Sequence, residues 1–177
     1  LVVGGPDHGK LYNGTLQGTL FNDVMVGTIG NDVIYGGDRT DTICGLYGTD
    51  SIHGGPGDDK IQGNEGLDTL WGDDGVDLLQ GGQHNDILYG GNQNDTLEGN
   101  KGNDQLWGGA GIDTLLGNED DDVIHGDAGD DWAHGGQGND TVFGDAGTDS
   151  VFGGVGMDTC HGSGADTIDI SCKTILP

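Results

Sequence analysis

Of the 177 residues, 40 are glycine, and 31 aspartates or glutamates against five lysines or arginines give a formal net charge of −26. So acidic a chain excludes nucleic acid and anionic membrane surfaces as partners, and no apolar run approaches the ~18 residues of a membrane span. Low hydrophobicity with high charge is typical of disordered chains, so an ordered structure needs a further source of stability.

The first 17 residues lack the spacing that governs the rest of the chain, and we expect residues 1–17 to form an N-terminal cap. Solenoid proteins need caps because their terminal coils would otherwise expose the core. The predicted organisation is this cap, a repeat region over 18–161, and a degenerate repeat with a C-terminal cap over 162–177.

From residue 18 to residue 161 the chain repeats every nine residues, in sixteen units without a slip. Numbering the places of each unit from one to nine, place one is always Gly, place six is always Asp, and place eight is Met, Ile, Leu, Val, Ala or Cys. Residues 135–143 are a complete copy, Gly-Gly-Gln-Gly-Asn-Asp-Thr-Val-Phe. The place-six residues are Asp23, Asp32, Asp41, Asp50, Asp59, Asp68, Asp77, Asp86, Asp95, Asp104, Asp113, Asp122, Asp131, Asp140, Asp149 and Asp158.

The pattern within a unit predicts an all-β fold. Places seven to nine form a short strand whose middle side chain points inward, because neighbouring side chains of a strand point to opposite faces. Places one to six form a turn, in which glycine permits left-handed backbone and close approach. Two units then make one coil of 18 residues, and sixteen units make about eight stacked coils. The aspartates fall into two columns, one starting at Asp23 and the other at Asp32.

The two aspartate columns predict a bound cation. Carboxylates ~5 Å apart in line repel one another, and a divalent ion between neighbours reverses the sign of that interaction. Carboxylates and turn carbonyls are all oxygen ligands, which suit Ca²⁺ better than Mg²⁺ or Zn²⁺. The gaps between the aspartates allow up to about 14 calcium ions. The thin apolar core cannot offset the conformational entropy of ordering the chain, so folding should be coupled to metal binding.

The consensus Gly-Gly-x-Gly-x-Asp-x-apolar-x resembles the RTX (repeats-in-toxin) nonapeptide family over residues 18–161. The resemblance implies a right-handed parallel β-roll, a form of β-solenoid, with calcium held between successive turns. It also implies a secreted, extracellular protein that is exported unfolded and free of calcium.

Place four departs from Gly at Phe21, Arg39, His84, Gln93 and Asp120. Phe and Arg tolerate left-handed backbone less well than His or Asp, and Arg39 brings a positive charge to the turn of Asp41. We therefore expect calcium sites beside Phe21 and Arg39 to be weak or empty.

Place nine distinguishes the two sheets. In alternate units it always carries a ring, and these eight residues, here called the ring strip, are Tyr35, His53, Trp71, Tyr89, Trp107, His125, Phe143 and His161. One interpretation is a ladder of rings that stabilises the sheet by stacking on itself. The other is an interface with a second copy of the chain in a homo-oligomer, with a cell-surface polysaccharide, or with a partner domain.

The last residues hold two of the three cysteines. Residues 162–168 form a repeat that is one residue short, in which we expect Asp166 to extend the column of Asp149 and to add one calcium site. A disulfide between Cys160 and Cys172 would hold the C-terminal cap and fits an oxidising compartment; the alternative is two buried thiols. Cys44 is left over, either free or able to link chains.

No catalytic motif accompanies the repeats, and the aspartates are committed to the turns, so we expect no enzyme. The first functional hypothesis is a secreted calcium-binding protein with a structural, adhesion or self-associating role. The alternative is a ligand-recognition β-roll that binds ice or carbohydrate. Ice binding favours a regular grid of Thr, which place seven interrupts at Lys60, Leu78, Ile87, Gln105 and Trp132.

Overall fold

The computed structural model describes residues 2–3 and 15–176. Most of the predicted N-terminal cap, residues 1 and 4–14, lies outside the described residues, and its boundary at residue 17 stays a prediction. The described residues contain strands and turns and no helix.

Two parallel sheets of ten strands each form the roll, and the chain alternates between them. The odd sheet contains β1 (Val2–Val3), β3 (Val24–Val26), β5 (Thr42–Gly48), β7 (Lys60–Gly66), β9 (Leu78–Gln83), β11 (Thr96–Lys101), β13 (Thr114–Glu119), β15 (Trp132–Gln137), β17 (Ser150–Val155) and β19 (Thr167–Ile168). The even sheet contains β2 (Thr15–Gln17), β4 (Val33–Tyr35), β6 (Ser51–Pro56), β8 (Thr69–Asp74), β10 (Ile87–Asn92), β12 (Gln105–Ala110), β14 (Val123–Ala128), β16 (Thr141–Phe143), β18 (Thr159–His161) and β20 (Thr174–Leu176).

The register between neighbouring strands of the repeat region is 18 residues, so that Leu88 pairs with Leu70 on one side and with Leu106 on the other. This confirms the predicted parallel β-roll and its coil length. The sixteen units supply eight strands of each sheet, and β1, β2, β19 and β20 extend both sheets at their ends.

The core is a column of place-eight side chains between the two sheets. These residues, with Leu16 before and Cys172 after them, are Met25, Ile34, Ile43, Ile52, Ile61, Leu70, Leu79, Leu88, Leu97, Leu106, Leu115, Ile124, Ala133, Val142, Val151 and Cys160, and all are buried. Their alternation with more exposed neighbours is the inward and outward pattern that a pleated strand imposes.

Most strands are longer than the sequence predicts. They continue past place nine into places one to three, as in Ile87–Asn92, so the turn is confined to places four to six. The constant spacing aligns the whole coil with the next one, and Gly91 and Asn92 therefore pair with Gly109 and Ala110 as well. The prediction that all of places one to six form a turn was wrong for this reason.

Replacing one inward residue is expected to destabilise the roll strongly. Leu97 is fully buried, and the Leu97→Ala variant should lose about 2–5 kcal/mol of unfolding free energy through lost transfer energy and a residual cavity. Denaturant unfolding in saturating calcium measures the change. The matched control is Leu67→Ala, at a turn position where the side chain is 54% exposed; equal losses in both variants would contradict a core restricted to place eight.

The C-terminal end departs from the repeat. Ser150 pairs with Thr167 in β19, one residue short of the usual spacing, and Thr159 pairs with Thr174 in β20. A disulfide joins Cys160, inside the core, to Cys172, with their Cα atoms 5.8 Å apart. Cys44 is a free, half-buried thiol.

Residues 2–3 and 15–176 contain no helix long and apolar enough to cross a membrane.

Candidate metal centre

The place-six aspartates line the two edges of the core, where each turn meets the following strand. All sixteen are buried, and the most exposed, Asp23, retains 7% of its accessible surface. Carboxylates are rarely buried unless they are paired or bind a metal. The hydrogen-bond partners of these carboxylate oxygens therefore indicate what the turns can bind.

In the fourteen aspartates from Asp41 to Asp158, one carboxylate oxygen links two coils. The backbone N–H of Asp86 donates to Oδ1 of Asp104 at 2.7 Å, and the N–H of Asp104 donates to Oδ1 of Asp122 at 2.8 Å. The same bond recurs along both columns from Asp23 to Asp158. The columns expected from the spacing are therefore continuous chains of backbone-to-carboxylate hydrogen bonds.

The second oxygen has no hydrogen-bond partner in fourteen of these aspartates. The buried, unpartnered Oδ2 atoms belong to Asp41, Asp50, Asp59, Asp68, Asp77, Asp86, Asp95, Asp104, Asp113, Asp122, Asp131, Asp140, Asp149 and Asp158. Leaving a buried acceptor unsatisfied costs about 1–3 kcal/mol, and more when it is charged. The fourteen unpartnered oxygen atoms therefore need either a bound cation or bound protons to be stable inside the protein.

The space around these oxygens holds a second acceptor. A Cβ atom placed on Gly108 would lie 2.6 Å from Asp113 Oδ2 and 2.7 Å from the carbonyl oxygen of Gly126, one coil further on. A Cβ on Gly126 would likewise lie 2.7 Å from both Asp131 Oδ2 and the carbonyl oxygen of Gly144. A carboxylate oxygen and a carbonyl oxygen thus converge at place one, which explains why this place is always Gly.

These oxygens fit a hard cation. Among the residues that the structure describes, no three His, Cys, Asp or Glu side chains form a group that could hold a metal ion. An ion would therefore combine the place-six carboxylates with backbone carbonyls, an oxygen set typical of Ca²⁺. The bound ion would supply the positive charge that the unpartnered Oδ2 atoms lack.

Burial raises the pKa of the thirteen place-six carboxyl groups from Asp41 to Asp149 above its usual range. Loss of solvation is the largest cause, and the charge of neighbouring aspartates in the column adds to it. The pKa rises to about 8 for Asp86 and Asp122 and to about 7 for Asp59 and Asp104. The hydrogen bond from the preceding Asp N–H lowers the pKa but does not offset the burial.

Without metal, acid is expected to favour the roll. An unfolded aspartate has a pKa of about 3.9, so between about pH 4 and pH 8 the metal-free roll binds more protons than the unfolded chain, and its stability falls as pH rises. Circular dichroism of the metal-stripped protein should show more strand at pH 5 than at pH 8. In calcium the trend reverses, because protons compete for the same oxygens; equal spectra at both pH values without metal would contradict this.

The ring strip lies along the even sheet as a continuous stack. Consecutive ring centroids are 4.2 to 5.9 Å apart, and the planes of each pair lie within 18° of parallel. Tyr35 is 39% exposed and the other seven rings are half-buried. The rings therefore present edges to solvent, since their faces cover one another.

Two histidines of the strip also contact carboxylates at place two of the next coil. His53 Nδ1 lies 3.3 Å from Asp73 Oδ2, and His125 Nδ1 lies 2.9 Å from Asp145 Oδ2. These pairs fix the orientation of the two rings within the stack.

A second hydrogen-bond ladder in the turns was not predicted from the sequence. Asn and Asp side chains at place five accept from the backbone N–H of the same place one coil later, as Asn94 Oδ1 does from Ile112 at 2.9 Å and Asp121 Oδ1 from Asn139 at 2.7 Å. The recurrence of Asn and Asp at place five was the available signal.

The stacked coils and the carboxylate columns together define a metal-binding parallel β-roll. The family model described as the RTX calcium-binding nonapeptide repeat, in four copies, matches residues 8–43, 45–79, 80–115, 98–133, 107–142, 116–151 and 125–160. These matches cover far more than half of the chain, which therefore belongs to this family of calcium-binding repeats. A search of curated proteins finds no match to the chain.

Proposed function

We propose that this protein is a secreted, non-enzymatic β-roll that folds when it binds extracellular calcium and then acts as a structural or adhesion element by self-association. The observation that carries the proposal is the set of fourteen buried Oδ2 atoms without a partner. Up to about 14 calcium ions, held by the place-six aspartates and turn carbonyls, would satisfy them. This many divalent ions would also nearly neutralise the net charge of −26.

An extracellular location agrees with the chemistry of the chain. Disulfides such as Cys160–Cys172 persist in oxidising compartments. A chain whose fold depends on a metal stays unfolded where the metal is scarce and folds where it is abundant. Export followed by folding outside the cell is the sequence of events that this dependence favours.

The geometry of the ring strip favours a second copy of the chain over a polysaccharide. A sugar packs on the face of an aromatic ring, and the faces of Trp71, Tyr89 and Trp107 are covered by their neighbours in the stack. Edges of half-buried rings, flanked by place-seven side chains such as Ile87, make a ridge suited to packing against another protein surface.

Sedimentation velocity in calcium tests self-association. We expect the wild type to sediment as a dimer or larger species and the Ile87→Lys variant, beside the ring strip, as a monomer. The matched control is Thr96→Lys, a half-buried position at the same place on the odd sheet, which should behave as the wild type. A wild type that stays monomeric at high concentration would overturn self-association and leave calcium-driven folding unaffected.

A further inference from the structure

In three turns at the ends of the roll, the Oδ2 atom of the aspartate accepts hydrogen bonds that are absent from the interior turns. In the turn of Asp32, Oδ2 accepts from the backbone N–H of Thr28 at 2.6 Å and from its hydroxyl at 3.0 Å. In the turn of Asp23, Oδ2 accepts from the N–H and the hydroxyl of Thr19 at 2.7 and 2.8 Å. Both donors come from place two of the same unit.

The same hydroxyl also organises the rest of the turn. The backbone N–H of Gly30 donates to Thr28 Oγ1 at 3.1 Å, and the N–H of Phe21 donates to Thr19 Oγ1 at 3.2 Å. The hydroxyl therefore stands between the place-four N–H and the place-six carboxylate and links the two sides of the loop. Short side-chain hydroxyls commonly close turns in this way.

The C-terminal end has a related arrangement with serine, in which the backbone N–H, but not the hydroxyl, donates to Oδ2. Asp166 takes the next position in its column, since its Oδ1 accepts from the N–H of Asp149 at 3.1 Å. Its Oδ2 accepts from the backbone N–H of Ser163, and the Ser163 hydroxyl lies 3.3 Å from Asp166 Oδ1. The residue missing from this repeat shortens the loop, so the carboxylate reaches back to the serine.

Interior turns lack these donors because place two has another conformation. Residues there adopt left-handed backbone, such as Gly37 at φ 112° and Asn118 at φ 84°. The N–H of Gly37 donates to the carbonyl oxygen of Gly54, one coil on, at 3.1 Å, and Oδ2 of Asp41 is left without a partner. Threonine occupies place two only at residues 19 and 28.

We propose that Thr19, Thr28 and Ser163 are hydroxyl caps that end the calcium columns, because each supplies its own aspartate with the donors that a cation replaces in the interior. This inference rests on the proposed function. It makes place two, rather than place four, the position that decides whether a turn takes calcium. The turn of Asp32 has the usual glycine at place four, Gly30, yet Asp32 Oδ2 already accepts two hydrogen bonds from Thr28.

The number of calcium ions per chain, counted by native mass spectrometry of the full protein, tests the caps. Thr28→Gly and Thr28→Asn each place at position 28 a residue that adopts left-handed backbone in the interior turns, and each should bind one more ion than the wild type. Thr28→Ser keeps the hydroxyl and should match the wild type.

The outcomes separate this inference from the proposed function. Calcium binding by the wild type with no additional ion in either the glycine or the asparagine variant would overturn the caps and leave the proposed function standing. An additional ion in Thr28→Ser would also overturn the caps, because a hydroxyl at position 28 would then not prevent calcium binding. A wild type that binds no calcium would overturn the proposed function itself.

Discussion

Removal of calcium at pH 8 is expected to unfold the whole roll. Without metal, fourteen buried carboxylate oxygens have no partner, and aspartates such as Asp86, whose burial raises the pKa to about 8, must either take up protons or remain charged inside the protein. The single inward column of apolar side chains is too thin to compensate. Because each coil is stabilised by its neighbours, we expect one cooperative transition rather than gradual fraying.

Small-angle scattering and circular dichroism measure this transition. An unfolded chain of this length has a radius of gyration of about 45 Å, against about 16 Å for a compact chain. We expect values near the upper figure after dialysis against a chelator, with full recovery when calcium is added back. Magnesium at equal concentration is the control, since its demand for regular octahedral geometry suits these turns poorly. Strand content that survives exhaustive chelation at pH 8 would contradict calcium-driven folding.

Asp86→Ala is expected to have the second-largest effect. The substitution removes the acceptor of the Asp68 N–H, which lies in a buried turn, and with it the unpartnered Oδ2 that would bind calcium. We expect a loss of about 3–5 kcal/mol of unfolding free energy, comparable to breaking a buried charge pair. In a calcium titration followed by circular dichroism, the folding midpoint should move to higher calcium concentration.

The matched control for this substitution is Asp38→Ala. Asp38 lies at place three and is exposed, so the change in net charge is the same while the proposed calcium ligands are intact. Its midpoint should stay close to that of the wild type. Equal shifts in the two variants would mean that calcium-dependent folding depends on the overall net charge and not on the place-six carboxylates.

The repeat determined the features that depend on spacing alone. The recurrence of nine residues predicted the alternation of two sheets, and the apolar residue at place eight predicted the inward column from Met25 to Cys160. The family of calcium-binding repeats could also be predicted from the sequence, because glycine and aspartate recur in fixed places. These properties follow from periodicity, which a single sequence displays fully.

Features that depend on backbone conformation could not be predicted in the same way. The continuation of strands through Gly91 and Asn92 requires knowledge that these residues pair with the next coil. The hydroxyl caps require knowing that Thr28 avoids the left-handed backbone adopted by Leu46, which has φ 83° although it is neither Gly nor Asn. The sequence showed rings at place nine, but only the structure shows that their faces cover one another.

The constant register also makes the molecule modular. Since each coil bonds to segments 18 residues away, removing or inserting one whole coil in the middle joins equivalent ends and leaves every other contact in place. A change of a single nine-residue unit differs, because all later strands would exchange sheets and the rings beyond the junction would continue the column of Gln62 and Gln80. Growth of such a gene by internal duplication would therefore keep the two faces distinct only in steps of two units.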